Sequence, residues 1–169
     1  SYSDFHDCEL VIEAIKSKQG QSSFEMRKQV FKSIEKEVGR NCIIATNSST
    51  IVVTELSSEL QHKDRCVSLH ISTTAPGASV VEIAKGLHTS DEAYNKVLKF
   101  VRLLEKVSIP VMESPGLVSV RLFVVLLNEA CETLMEGVSS MGCIDLTMRS
   151  SFNMPLGPFE FADKVGLDK

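Results

Sequence analysis

Apolar residues follow two alternating rhythms along this chain. Residues 9–15, ELVIEAI, form a short apolar run of strand length, and the Lys, Gln, Gly and Ser residues behind it read as a loop. From Ser23 the period lengthens. Phe24, Val30, Phe31, Ile34 and Val38 fall near one helical face while Glu25, Arg27, Lys28, Lys32, Glu35 and Lys36 cover the other. Ser22 or Ser23 is placed to cap this helix and Gly39 to end it. A buried-type strand follows at 42–46, then a polar turn, Asn47 to Thr50, and a short helical segment near 53–60. Strands are predicted again at 66–71 and 80–84. A helix over 91–105 carries Ala93, Val97, Leu98, Val101 and Leu104 at helical spacing behind Thr89 or Ser90, and a fifth strand covers 107–112.

Strands alternating with helices predict a mostly parallel sheet covered on both faces, because each crossover must bury its apolar side against the sheet. This α/β pattern runs to about residue 113. Ser114, Pro115 and Gly116 punctuate it, and the rest reads helical: 117–136, about 144–152, and a Pro/Gly-broken segment over 155–169. A domain boundary is expected near Pro115, dividing the chain into 1–114 and 115–169. There is no internal repeat.

Composition narrows the classes. At 43% hydrophobic and 24% charged residues the 169-residue chain is ordinary globular sequence, which excludes a disordered or collagen-like protein. Lys and Arg total 18 against 22 Asp and Glu, a net charge of −4 without a dense basic run, so nucleic acid is not an expected partner. The most apolar stretch, 117–127, is interrupted by Arg121 and closed by Asn128, well short of the roughly 20 residues that span a bilayer. No membrane partner is expected. Five scattered cysteines without a C-x-x-C spacing predict reduced thiols in a cytosolic or organellar compartment. A strand starting within ten residues of Ser1 predicts that the natural chain starts earlier.

Ligands on open α/β sheets gather outside the carboxyl ends of the strands. The turn after the second strand, His70 at the end of the third, and Glu82 inside the fourth all qualify. A loop of about eight residues between adjacent strands sets His70 beside Glu82. A carboxylate inside VVEIA needs a partner, and an imidazole serves. The carboxylate then fixes the tautomer and stabilises the cationic ring, which equips His70 as a proton acceptor. Spacing alone also allows, and on frequency favours, a structural polar pair or an edge-strand glutamate facing water. Two other arrangements are weaker. Ser49, His70 and Glu82 could form a hydrolase triad, but no G-x-S-x-G elbow surrounds Ser49. His62, Cys66 and His70 are spaced by fours, as for a metal on a helix face, yet residues 66–70 read as strand, so no metal is expected. No G-x-G-x-x-G fingerprint occurs.

ELVIEAI, ATNSSTI, VSLH with Glu82 twelve residues after His70 in VVEIAKG, SPGLVSVR and NMPLGPFEFADKVGLDK occur in one order. Together they resemble the L-3-hydroxyacyl-CoA dehydrogenase family, including 3-hydroxybutyryl-CoA dehydrogenases. The resemblance covers essentially the whole chain; it begins after the family's Gly-rich turn and ends partway into its helical domain. It implies the second half of a doubly wound Rossmann domain followed by the start of an all-α domain, NAD as cofactor, an acyl-CoA thioester as substrate, and a homodimer formed through the helical domain of the full-length protein. It further implies oxidation of an L-3-hydroxyacyl-CoA to the 3-ketoacyl-CoA. By motif, His70 matches the catalytic histidine, Glu82 its paired glutamate, and Ser49 the serine that bonds the substrate oxygen near the nicotinamide. Ala14, Ile15, Arg27, Asn47 and Thr73 match positions on the cofactor side. The 169 residues alone are expected to be inactive, and the longer protein cytoplasmic, with mitochondrion and peroxisome also open.

Three departures stand out. Ile71, Ser72, Thr73 and Thr74 replace the family's F-x-N-P; Val120 stands where an active-site asparagine precedes Arg121; and the loop at 16–22 lacks the family's acidic residue. A divergent enzyme and a catalytically impaired homologue kept for binding or assembly both accord with these changes.

Overall fold

The computed structural model describes residues 2–15, 23–71 and 79–166. Five strands and six helices follow in the order β1 (Leu10–Glu13), α1 (Ser23–Glu37), β2 (Ile43–Thr46), α2 (Val53–Leu56), β3 (Cys66–Ile71), β4 (Val80–Lys85), α3 (Asp91–Leu103), β5 (Val107–Met112), α4 (Ser119–Met135), α5 (Met141–Phe152) and α6 (Pro158–Val165). Short 3-10 turns at Tyr2–Phe5 and Lys63–Arg65 complete the described elements.

The strands form one sheet in sequence order, β1-β2-β3-β4-β5. Its pairings are parallel except for that of β3 with β4, which is antiparallel. Because strand side chains alternate between faces, the apolar runs split cleanly into two cores. Val11, Ile44 and Cys66 face Phe31 and Ile34 of α1 and Val53 and Leu56 of α2. Ile43, Ala45, Val67, Leu69, Val81 and Ile83 face Ala93, Val97 and Val101 of α3. Both faces are thus covered over β1 to β4, while β5 at the sheet edge stays largely exposed.

Several element ends differ from the sequence expectation. The segment after β2 makes a single α-helical turn instead of continuing to residue 60; beyond it the backbone tightens to i−3 bonds, Ser58 N–H to the Glu55 carbonyl at 3.2 Å and Leu60 N–H to the Ser57 carbonyl at 3.0 Å. α3, by contrast, begins as expected behind Ser90, whose hydroxyl accepts from the Ala93 N–H at 3.2 Å. Gly116 and Leu117 take positive φ, 85° and 47°, so α4 starts at Ser119. α5 starts earlier than expected, behind Ser140, which accepts from the Cys143 N–H.

The described residues divide into two compact units, one reaching Leu117 and one starting at Val118. In the second, the Phe123 and Phe161 rings of α4 and α6 meet with centroids 4.1 Å apart and planes tilted by 49°. Among the described residues no helix is long and apolar enough to cross a membrane.

All five thiols are free, with Cys42 and Cys66 buried and Cys143 exposed. Burial pushes the Cys66 thiol up to about 12 and raises that of Cys42, and the thiolate is the reactive form. An aromatic disulfide reagent applied at pH 8 should therefore label Cys143 within minutes and Cys66 only on the timescale of unfolding. Equal labelling rates for the two would contradict the buried position of Cys66.

Candidate active site

The register lines up the polar residues at one end of the sheet. Glu13 pairs with Thr46 across β1 and β2, and Thr46 with Ser68 across β2 and β3. Two residues beyond Ser68 on the same face stands His70, directly opposite Glu82 in the antiparallel β3–β4 pair. All five side chains share the face of Ile44 and Cys66, the face covered by α1 and α2. The carboxyl ends of three parallel strands are therefore rimmed by polar groups, which is where such sheets bind ligands.

His70 Nδ1 lies 3.1 Å from Glu82 Oε2, and only 12% and 8% of the two side chains are exposed. With Nδ1–H donating to the carboxylate, Nε2 is left as the proton-accepting nitrogen. This is the arrangement the spacing of twelve predicts. The pair is largely enclosed, so the carboxylate acts on the ring through little solvent screening.

The polar turn after β2 is tied down at several points. Asn47 N–H donates to the Glu13 carbonyl at 2.8 Å, and its side-chain Oδ1 accepts from the Ile71 N–H, also at 2.8 Å. The amide thus secures the backbone next to His70. Ser49 sits in the middle of this turn, and its carbonyl accepts from the Gly116 N–H at 2.7 Å. Farther along, the Thr54 N–H and hydroxyl both donate to the Glu113 carboxylate at the end of β5.

On the β1 side, Ala14 and Ile15 follow directly from the strand. Ile15 N–H donates to Glu13 Oε1 at 2.8 Å, and its carbonyl accepts from an Arg27 terminal nitrogen at 2.7 Å. Arg27 also forms an ion pair with Glu13 and donates from Nε to the Ser23 hydroxyl at 3.3 Å. Its guanidinium is thus engaged in fastening α1 to the end of β1. Thr73 and the loop at 16–22 lie outside the described residues. Val120 lies on α4, in the second unit. Cys66 starts β3 and His70 nears its end, about 13 Å away at strand rise, too far to share a metal ion.

Sequence reasoning passed over Glu13, whose side chain is wholly buried. The signal was present: Glu13 has the parity of Val11 in ELVIEAI, so it had to point into the same core. A charged residue there demands partners, and Arg27, Thr46 and the Ile15 N–H supply them.

These elements, in this order, form a sheet unit of the Rossmann-like α/β class. A model of the 3-hydroxyacyl-CoA dehydrogenase NAD binding domain matches residues 1–114, and a model of the same proteins' C-terminal domain matches residues 116–169. The chain belongs to the 3-hydroxyacyl-CoA dehydrogenase family, and its fold is the second half of a Rossmann domain followed by helices of the next domain. It is 32% identical over 168 residues to a 3-hydroxybutyryl-CoA dehydrogenase of Clostridioides difficile, covering 99% of this chain and 58% of that protein. With the mitochondrial hydroxyacyl-coenzyme A dehydrogenase of Homo sapiens it shares 31% over 163 residues, 96% of this chain and 50% of that protein. The crystal structure of (S)-3-hydroxybutyryl-CoA dehydrogenase PaaH1 from Ralstonia eutropha superposes with a TM-score of 0.88 at 36% identity, over 99% of this chain and 58% of that one. The chain thus spans between half and three fifths of the length of these three relatives.

Proposed function

We propose that this chain supplies the proton-accepting part of an NAD-dependent oxidation of L-3-hydroxyacyl-CoA to 3-ketoacyl-CoA. The observation that carries this reading is the 3.1 Å contact of His70 with Glu82 at the carboxyl ends of the parallel strands. His70 Nε2 accepts the proton of the C3 hydroxyl. Glu82, at Nδ1, stabilises the imidazolium that results. Ser49 donates to the substrate oxygen and holds it while the C–H bond breaks.

NAD, when bound, supplies the hydride acceptor. The residues present fit the nicotinamide end of that cofactor: Ala14 and Ile15 follow β1 and Asn47 follows β2, the strand that pairs with the His70 strand. Arg27 acts there indirectly, through its bonds to Glu13 and the Ile15 carbonyl. The pyrophosphate end needs a glycine turn at a helix N-terminus, a fingerprint that these 169 residues do not carry.

A second reading has one observation in its favour. Valine at position 120 has no side-chain donor or acceptor, as a homologue that binds without turnover would permit. Dimerisation through the helical residues is also proposed, supported by Leu122, Val125 and Phe152, each more than half exposed. The protein expressed from its full reading frame should oxidise NADH in the presence of acetoacetyl-CoA. No turnover above a His70→Ala control would reject the dehydrogenase reading, and tight binding of NADH and acyl-CoA in that case would favour the second.

A further inference from the structure

We propose that Thr46 and Ser48 are positioning residues: together with Glu13 they form a buried hydrogen-bond relay that sets the turn carrying Ser49. This inference rests on the function proposed above. The relay starts at Glu13, where Oε1 accepts from the Ile15 N–H and from Arg27. Oε2 accepts from the Thr46 hydroxyl at 2.9 Å. That hydroxyl in turn accepts from the Ser48 N–H at 3.0 Å, and the Ser48 hydroxyl accepts from the Ile51 N–H at 3.2 Å. The backbone is therefore held on both sides of Ser49, at Ser48 and at Ile51.

Burial makes this chain of bonds more than a surface ornament. Thr46 is 0% exposed and Ser48 7%. At a fully buried strand end valine has nearly the shape of threonine, so what Thr46 adds there is the two bonds of its hydroxyl. Both of its bonds lead to the serine turn or to the carboxylate that anchors it. The neighbouring Asn47 extends the same unit to β3, since its Oδ1 holds the Ile71 N–H beside His70. The oxygen-holding serine and the proton-accepting histidine thereby share one hydrogen-bonded frame. A turn held this way cannot drift by the ångström that costs a reaction about two orders of magnitude.

The test uses Thr46→Val, Thr46→Ser and Ser48→Ala in the protein expressed from its full reading frame, with His70→Ala as control. Thr46→Val and Ser48→Ala should lower kcat about 10- to 100-fold while the KM values for acyl-CoA and NAD change less than about threefold. Thr46→Ser, which keeps the hydroxyl, should restore most of the rate. Amide hydrogen exchange gives a readout that needs no turnover: Ser48 and Ile51 should exchange at least about tenfold faster in Thr46→Val, while Ile44 and Val67 keep their protection. Ser48→Ala, which removes only the last link, serves if Thr46→Val fails to fold. Unchanged kcat in the folded variants, no rescue by serine, or faster exchange spread evenly over the sheet would each overturn the relay. Equal turnover in wild type and His70→Ala would instead reject the functional reading, and the exchange pattern would still decide whether the relay exists.

Discussion

Replacing His70 by alanine in the full-length protein should lower kcat/KM about a thousandfold, and Glu82→Gln about a hundredfold. The histidine value follows from the role of a general base, whose removal leaves only water to take the hydroxyl proton. The glutamine value follows from geometry. Glutamine keeps the size of Glu82 and an oxygen that can face Nδ1 at the observed 3.1 Å, but it lacks the charge that stabilises the imidazolium. Because the two groups act as a unit, the double variant should be no slower than His70→Ala alone, within about threefold. Steady-state rates on acetoacetyl-CoA measure all three. Wild-type activity in Glu82→Gln would reduce the pair to a structural contact of the kind the bare spacing also allowed.

Gly157→Ala should destabilise the helical unit by about 3 kcal/mol, the sum of an overpacking cost of about 1–3 kcal/mol and a damaged helix cap of about 1 kcal/mol. Gly157 has an ordinary φ of −71°, so conformational freedom is not the reason for glycine here. Contact is. A Cβ at this position would overlap the Cα, Cβ and Oδ1 of Asp145, and a backbone atom cannot rotate away. Asp145 is itself buried and accepts from the Phe159 and Glu160 N–H groups at 2.9 and 3.2 Å, closing the N-terminus of α6. Displacing it loosens α5 from α6 and leaves those donors unpaired. Denaturant unfolding followed by far-ultraviolet circular dichroism reads the effect, and an unchanged midpoint would show that the helices separate at little cost.

Much of the scaffold was readable before any coordinates. The strands at Cys66–Ile71 and Val107–Met112 have the bounds expected from their apolar runs, because a polar residue, Ser72 or Glu113, follows each directly in the sequence. Helix ends were less readable. Ser140 shifts the start of α5 through a side-chain cap bond that no periodicity records. Within the site, the separation of His70 from Glu82 suggested that they stand side by side, but it left a water-facing glutamate open as well; the β3–β4 register, set by burying Leu69, Val81 and Ile83 on the opposite face, decided it. Arg27 was different. Matching by motif puts it on the cofactor side, but its guanidinium is engaged with Glu13, Ser23 and the Ile15 carbonyl.

Local order therefore settled which segments are strands and helices, and which short loops force neighbouring residues together, because both depend on interactions a few residues apart. Packing settled the rest. Glu13 meets Arg27 across 14 residues, Thr46 across 33, and the Asn47 amide reaches Ile71 across 24. Those meetings depend on which strands lie side by side and which face of each turns toward α1, and that choice is made by burying the whole set of apolar faces at once.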